Sequence, residues 1–540
     1  MITRLAFQSM SKPSRKWIRR FALLGLAGSL AGVLGCSARD SKWESQSWNA
    51  FPVGLQGSVV LQDEALQRLI FLTSSKELGL STHIFPTRNN VTEVIASQDK
   101  SRLFVLSKGD YPRLKETDDS PRLVVFSGGT TPKIVDEFPL DNPMGKLALD
   151  PQGKWVVAYG GDATVTNPNE LVLLLLDKKS KSPVSKTIRS FGGAPEEIIF
   201  TDELTVPGGS ARRFMVVRTD RDITLVDLSD LEKDEITIRL PKKDDGNSFS
   251  PLQVVFSEGD PEITSDSRLA VRLDKSSDVV LIELGPSETK GKDFAVIVNI
   301  ANVRGIPSTI DFVETDGGLR VAALVPSKLK AALIDPQTSR TSFVDLPFAF
   351  SQMTRITDSF GGAAANGDVA LLYGTARQIA FWSLNKAIAS PYRSVSSTEL
   401  AIEVTEVLDV PVPNEHLKVL IGSEESSFFV LDLEKNESFP FHLKNGVSKV
   451  QVSLDGQRVW VNGTSNSNFS ALRLNDLHPQ ALYVNPGVSE LFDIEQAQGE
   501  GRAAVAFHDF DAWSATVLNA KNPKSHQTAY YPSLQLEGVQ

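Results

Sequence analysis

The stretch GVSKVQVSLDGQRVWVNG, residues 446 to 463, decides the fold. Two apolar runs of strand length, VSKVQV and RVWVNG, flank the turn Leu454-Asp455-Gly456. Asp455 supplies a side chain that can hydrogen-bond the turn backbone, and Gly456 tolerates positive φ. Runs joined by that chemistry read as an antiparallel hairpin. A third run, FSALRLN, starts about ten residues after the second, which is one strand plus a tight turn.

The unit recurs along the chain, about every 40–55 residues. Its second strands are RLIFLTS, RLFVLS, KWVVAYG, RFMVVRT, RLAVRLD, LRVAALV, DVALLYG, LKVLIGS, RVWVNG and RAAVAF, beginning near residues 68, 102, 154, 213, 268, 319, 368, 417, 458 and 502. Third strands such as DITLVDL, DVVLIEL, KAALIDP and SFFVLDL follow most of them. The turn before the second strand repeats as well, at Asp99, at Asp150 with Gly153, at Asp266, at Asp316 with Gly317, and at Asp455 with Gly456. Upstream of it, GAPEEIIF (193–200) and GIPSTIDF (305–312) share Gly-x-Pro-x-x-Ile-x-Phe. Proline there enters a strand at a point where no amide donor is needed. SFGGA occurs at 190–194 and 359–363, each read as a glycine crossing before a first strand. No long amphipathic helix is visible beyond the N-terminal leader.

Together these residues resemble the YVTN and WD40-like β-propeller repeats of bacterial exported proteins, with WVNG (460–463) standing for the eponymous tetrapeptide. The resemblance covers most of residues 90 to 535. No unit carries the Trp-Asp ending of eukaryotic WD40 repeats. Physics leads to the same place: a small sheet cannot bury both faces alone, and radial stacking gives each sheet two apolar neighbours. The expected fold is all-β, a β-propeller forming one ring of seven to nine four-stranded blades over residues 55–535, with two propellers in tandem as the alternative. Nine units look complete. Residues 57–87 read as a partial tenth that supplies a strand to the last blade.

The N-terminus is of a different kind. The first 35 residues hold six Lys/Arg and no Asp or Glu, and end in the apolar run FALLGLAGSLAGVLG (21–35). That run is too short for a membrane span, which needs ~20 residues. A basic region, a short apolar region and small residues before a break make a secretory signal, for which Met10 is an alternative start. Val33, Leu34, Gly35 and Cys36 then resemble the lipobox of bacterial lipoproteins. The resemblance implies cleavage before Cys36, the only cysteine in 540 residues, and lipid attachment to it. Ser37 after the cysteine implies, by the enteric sorting rule, the outer membrane, on its periplasmic face or at the cell surface. Arg19-Arg20 faintly resembles a twin-arginine signal, but the full pattern is not met. Residues 36–54 read as a lipidated tether and 536–540 as a tail.

The full chain has 56 Lys+Arg and 66 Asp+Glu; without the six leader cations it has 50 against 66, net −16. Nucleic-acid binding rests on cations that neutralise phosphates, so no nucleic-acid partner is expected. Nor does an acidic surface adhere broadly to anionic lipid, which leaves the anchoring to the acyl chains on Cys36.

Catalytic signatures are scarce. The six histidines, His83, His416, His442, His478, His508 and His526, are not spaced as metal ligands. His508 with Asp509 and Asp511 in FHDFDAW reads as a hairpin turn. Asp244, Asp245 and Asn247 are too few for a calcium loop. No nucleophile elbow, phosphate-binding glycine loop or quinone-type Trp motif is present, so no catalytic residue, metal or cofactor is expected. The expected function is a lipid-anchored envelope scaffold that binds protein partners. A propeller hydrolase or lactonase, or a carbohydrate-binding module, is the alternative, because carboxylates from different blades could still converge in the central channel.

Overall fold

The computed structural model describes residues 52–531, except 162–164, 166, 177–181, 207–209, 244, 245, 247, 258–266, 288–293, 358, 362, 365–367, 423–426, 444, 445, 464–467, 485, 486, 498–500, 509–513 and 525. Cys36 and its lipobox, Asp266, the Asp244–Asn247 cluster, Asp509 and Asp511 lie outside the described residues.

The second and third strands of each unit are buried on both faces, which is why they read as nearly unbroken apolar runs. Successive side chains then serve alternate neighbours. In the second strand of blade 2, Leu103 and Val105 pack into a core shared with blade 1, whereas Phe104 and Leu106 pack into one shared with blade 3.

Ten four-stranded antiparallel sheets result, each built from one continuous stretch: 53–86, 91–139, 146–187, 195–239, 251–302, 309–345, 352–399, 404–442, 447–483 and 490–531. Ten apolar cores lie between consecutive sheets, and the tenth joins the last to the first: Val59, Leu61, Ile70 and Leu72 of blade 1 meet Ile494, Val505 and Val517 of blade 10. The molecule is a closed ten-bladed propeller.

Three expectations are corrected. The ring has ten blades, not seven to nine, and is not two propellers in tandem. Residues 57–87 belong to a complete blade, with no strand donated to the last one. RLIFLTS is the third strand of that blade, not the second. The cause is the first strand of blade 1, Val53–Gly54, which is two residues long and too short to show any periodicity. The ring closes by packing and a polar seam: Ala497 N–H donates to Ser74 O (2.8 Å), Glu495 N–H to Gln56 O (2.7 Å) and the Tyr531 hydroxyl to Leu78 O (3.1 Å).

The two SFGGA copies have different settings. The first precedes the first strand of blade 4, where buried Asp222 accepts from Ser190 Oγ at 2.8 Å and from Phe191 N–H at 2.5 Å. The second lies between the first and second strands of blade 7, within the small hairpin Ser359–Phe360/Ala363–Ala364. The same letters therefore serve a blade crossing once and an insertion once.

Candidate functional site

The described turns between first and second strands lie at one end of their blades. They hold all the described turn residues singled out above, and each spends its carboxylate within the fold. Asp99 accepts from Ser97 Oγ (2.6 Å), Ser101 Oγ (2.8 Å) and Ser101 N–H (3.0 Å), which holds its carboxyl below the usual range. Asp455 accepts hydrogen bonds from Ser453 Oγ (2.6 Å) and Gln457 N–H (3.1 Å). Exposed Asp316 reaches into blade 7 and accepts from the amides of Ile388 (2.9 Å) and Ala389 (2.6 Å). Gly153 (φ +68°) and Gly456 (φ +63°) occupy left-handed positions, and a Cβ on Gly456 would meet Pro411 O at 2.0 Å. In the Asp316 turn the left-handed residue is Gly318 (φ +85°), not Gly317, and in the Asp99 turn it is Lys100 (φ +57°).

Asp150 differs from the others. It is buried and takes a two-pronged pair from Arg213 of blade 4, at 2.9 and 2.7 Å, besides the amides of Gln152 (3.0 Å) and Lys154 (3.3 Å). Burial opposes its charge, but the Arg213 and backbone hydrogen bonds outweigh burial and hold the carboxyl below its ordinary value.

Arg213 belongs to a set that motif reading passed over. A cation stands at or beside the start of most second strands, and it binds a neighbour: Arg458 donates to Ala520 O of blade 10 (2.9 Å), Arg502 to Asp493 (3.0 Å) and Lys418 to Asp409 (2.9 Å). The signal was visible as the Arg or Lys recurring in RRFMVV, LKVLI, QRVWV and GRAAV. The partners of Arg213 and Arg458 were not, since they lie 63 and 62 residues away in other blades.

Neighbouring first strands meet around the axis, and their edge backbone groups need partners. Side chains supply them. The Gln253 amide donates to Ile310 O (2.9 Å) and accepts from Ile310 N–H (3.1 Å), imitating an added strand. Glu93 accepts from Leu147 N–H, and Arg218 binds Glu196 and Glu197 (2.8 Å each) as well as Pro251 O (2.9 Å). Lys449 pairs with Glu490, and Arg355 with Asp311 at 3.4 Å. Glu93, Asp311 and Glu490 are thereby occupied in joining blade to blade, and Glu196 and Glu197 in pairing within blade 4.

Between the turns of blades 2 and 3 opens a groove of about 500 Å³, bordered by Gln98, Asp99, Arg102, Asp150, Gln152 and Trp155. Its two carboxylates are held low and already hydrogen-bonded, so neither is a ready proton acceptor at neutral pH. What the groove offers a visitor is the exposed amides of Gln98 and Gln152 and the half-buried guanidinium of Arg102.

Histidines play structural parts. Buried His508 directs Nδ1 to Gly487 O (3.1 Å) and Nε2 to Thr516 Oγ1 (2.6 Å). His442 Nδ1 meets Ser427 Oγ at 2.6 Å. Among the described residues, no group of three or more His, Cys, Asp or Glu is placed to hold a metal.

Among the described residues, the group furthest from its ordinary state is Asp493, under the seam. Burial raises its carboxyl to about 6; Arg502 lowers it and Asp455 raises it further. The sign of the pH effect follows. Because the folded value lies above the unfolded one, the ionised form is the penalised one. The penalty is complete above about pH 6 and is relieved as pH falls toward 4. The melting temperature of the native chain relative to Asp493→Asn is therefore expected to rise between pH 7 and pH 5. A difference independent of pH would refute this.

No family model matches the chain, and no curated protein matches it. Similar solved structures include dihydro-heme d1 dehydrogenase NirN in complex with DHE (13% identity, 81% of this chain and 75% of that one, TM-score 0.35). The Dos1 propeller (14%, 69% and 88%, 0.37) and apo AztD from Citrobacter koseri (11%, 72% and 95%, 0.32) are also similar. The propeller assignment rests on the ten sheets and their ten shared cores.

Proposed function

We propose that the protein is a lipid-anchored component of a bacterial cell envelope, held in the outer membrane through Cys36, whose turn-bearing face binds a protein partner. The observation that carries the binding role is the groove between blades 2 and 3. Its acidic residues are consumed by the fold, and its amide and guanidinium groups are left to recognise a ligand. Backbone carbonyls and acidic side chains of a peptide would satisfy those donors without any covalent chemistry. The anchor rests on the leader, the lipobox-like VLGC and Ser37.

Two experiments test this reading. Cys36→Ser is expected to leave the ring folded and to move the protein from the membrane to the soluble fraction; membrane retention at high salt would sink the anchor. Crosslinking in intact cells followed by mass spectrometry should recover a stoichiometric partner from the native chain. Gln98→Glu with Gln152→Glu, both exposed, should lose that partner while keeping the native melting temperature. Undiminished recovery from the double variant would sink the groove as its site.

A further inference from the structure

The ten outer strands form the rim of the ring, and among the described residues each has one edge of backbone N–H and C=O groups without a strand beside it. Such edges invite pairing, and proteins blunt them with charge, proline or brevity. Eight of the ten carry a formal charge or a proline, as Asp136 and Glu137 do in blade 2 and Pro440 in blade 8. The outer strand of blade 10, Thr528–Tyr531, is only four residues long.

Blade 5 has none of these devices. Its outer strand, Ala295–Asn302, reads AVIVNIAN and at eight residues is the longest of the ten. It lies in register with Asp278–Gly285 over eight consecutive pairs and has no bulge to twist the edge away. Ile297 (42% exposed), Val298 (42%) and Ile300 (49%) stand in solvent. Ile297 and Val298 point to opposite faces, so an added strand would gain apolar neighbours on both.

We propose that this strand pairs antiparallel with the same strand of a second copy of the chain, about a two-fold axis. The strand's self-complementary register selects that partner. The chain is acidic, net −10 in full, so two copies repel over most of their surface. A charge-free strand lets them approach without setting like charges opposite each other. A two-fold contact is self-complementary, and an axis perpendicular to the sheet keeps each face of the strand beside the same face of its copy. Centring the register on Val298 sets Val296 against Ile300, so the three apolar residues of one face meet only one another. One strand from each copy buries less than the ~1,000 Å² of a stable interface, so the pairing is weak in dilute solution. Confinement of copies on a membrane would raise its occupancy. That last step rests on the anchor proposed above; the pairing itself does not.

Cys36 is the only cysteine, so a clean test is available. In the full chain carrying Cys36→Ser, Val298→Cys is treated with a short bis-maleimide. Val184→Cys, on the outer strand of blade 3 with the same 42% exposure, serves as the control. The Val298→Cys chain should form covalent dimer roughly ten-fold faster than the control, through locally raised concentration. Adding Ile297→Lys and Ile300→Lys should remove the difference. Equal rates, a dimer indifferent to the lysines, or attachment mainly to a different protein in cells would each overturn the proposal. Because the variants lack Cys36, a failed anchor and a failed pairing give separate results.

Discussion

Asp150→Ala is expected to destabilise the ring by about 3–5 kcal/mol, because it leaves Arg213 charged, largely buried and without its partner. The Asp150 side chain is fully buried and that of Arg213 is 10% exposed, so water cannot take over the lost hydrogen bonds. The amides of Gln152 and Lys154 lose their acceptor in the same step. The expected readout is a large fall in the urea midpoint, followed by tryptophan fluorescence. Arg213→Leu added to Asp150→Ala should restore part of the loss, since the pair then vanishes together. The pH dependence has the opposite sign to that of Asp493. The Asp150 carboxyl is depressed in the folded state, so its stabilisation is present above the ordinary carboxylate value and is lost as pH falls through the depressed one. Asp316→Ala alters a turn of the same sequence type but touches an exposed side chain, so its midpoint should shift several-fold less. Equal shifts for the two variants would remove the weight assigned to the burial of Asp150 and its pair with Arg213.

Trp460→Ala is expected to cost about 3–5 kcal/mol by opening a cavity that its rigid neighbours cannot fill. Trp460 is 1% exposed and occupies the core between blades 9 and 10. Its ring stacks on Phe469 with centroids 5.6 Å apart and planes 4° apart. Leu482, Leu491, Ala504 and Leu518 enclose the rest. Among the described residues the indole N–H has no hydrogen-bond partner, so Trp460→Phe gives up an unpaired donor while keeping a stacked ring, and should cost much less. Calorimetry on the two variants checks the ordering. A Phe variant as damaged as the Ala variant would mean that the indole nitrogen matters in a way packing does not explain.

Both predictions start from residues that were legible in the sequence. Asp150 was marked by its turn and Trp460 by the WVNG tetrapeptide. Neither could be assigned a magnitude there, because burial and partner come from another blade. Arg213 is 63 residues from Asp150, and the four residues that enclose Trp460 come from its own blade and the next. The blade count failed for a related reason. The ten repeating apolar runs were all visible, yet blade 1 was read as a fragment because its first strand is two residues long. A strand that short has no period, and only the sheet it completes identifies it.

The amino-acid sequence by itself determined that the chain folds as repeated antiparallel hairpins, where they turn, and which strands lie in the middle of each sheet. Those properties depend on side chains within about ten residues of one another, on turn chemistry and on alternation, and local physics reads them directly. It also determined the acidic balance of the chain, net −10 in full. Only the tertiary structure decided that there are ten blades, that blade 1 closes on blade 10, and that the turn carboxylates are consumed by the fold. It alone showed a groove open between blades 2 and 3 and the rim strand of blade 5 left unguarded. Each of these depends on which distant segments share a core or a hydrogen bond, as Tyr531 and Leu78 do across 453 residues. Repeating units offer many equivalent neighbours, and only packing around a closed ring selects among them.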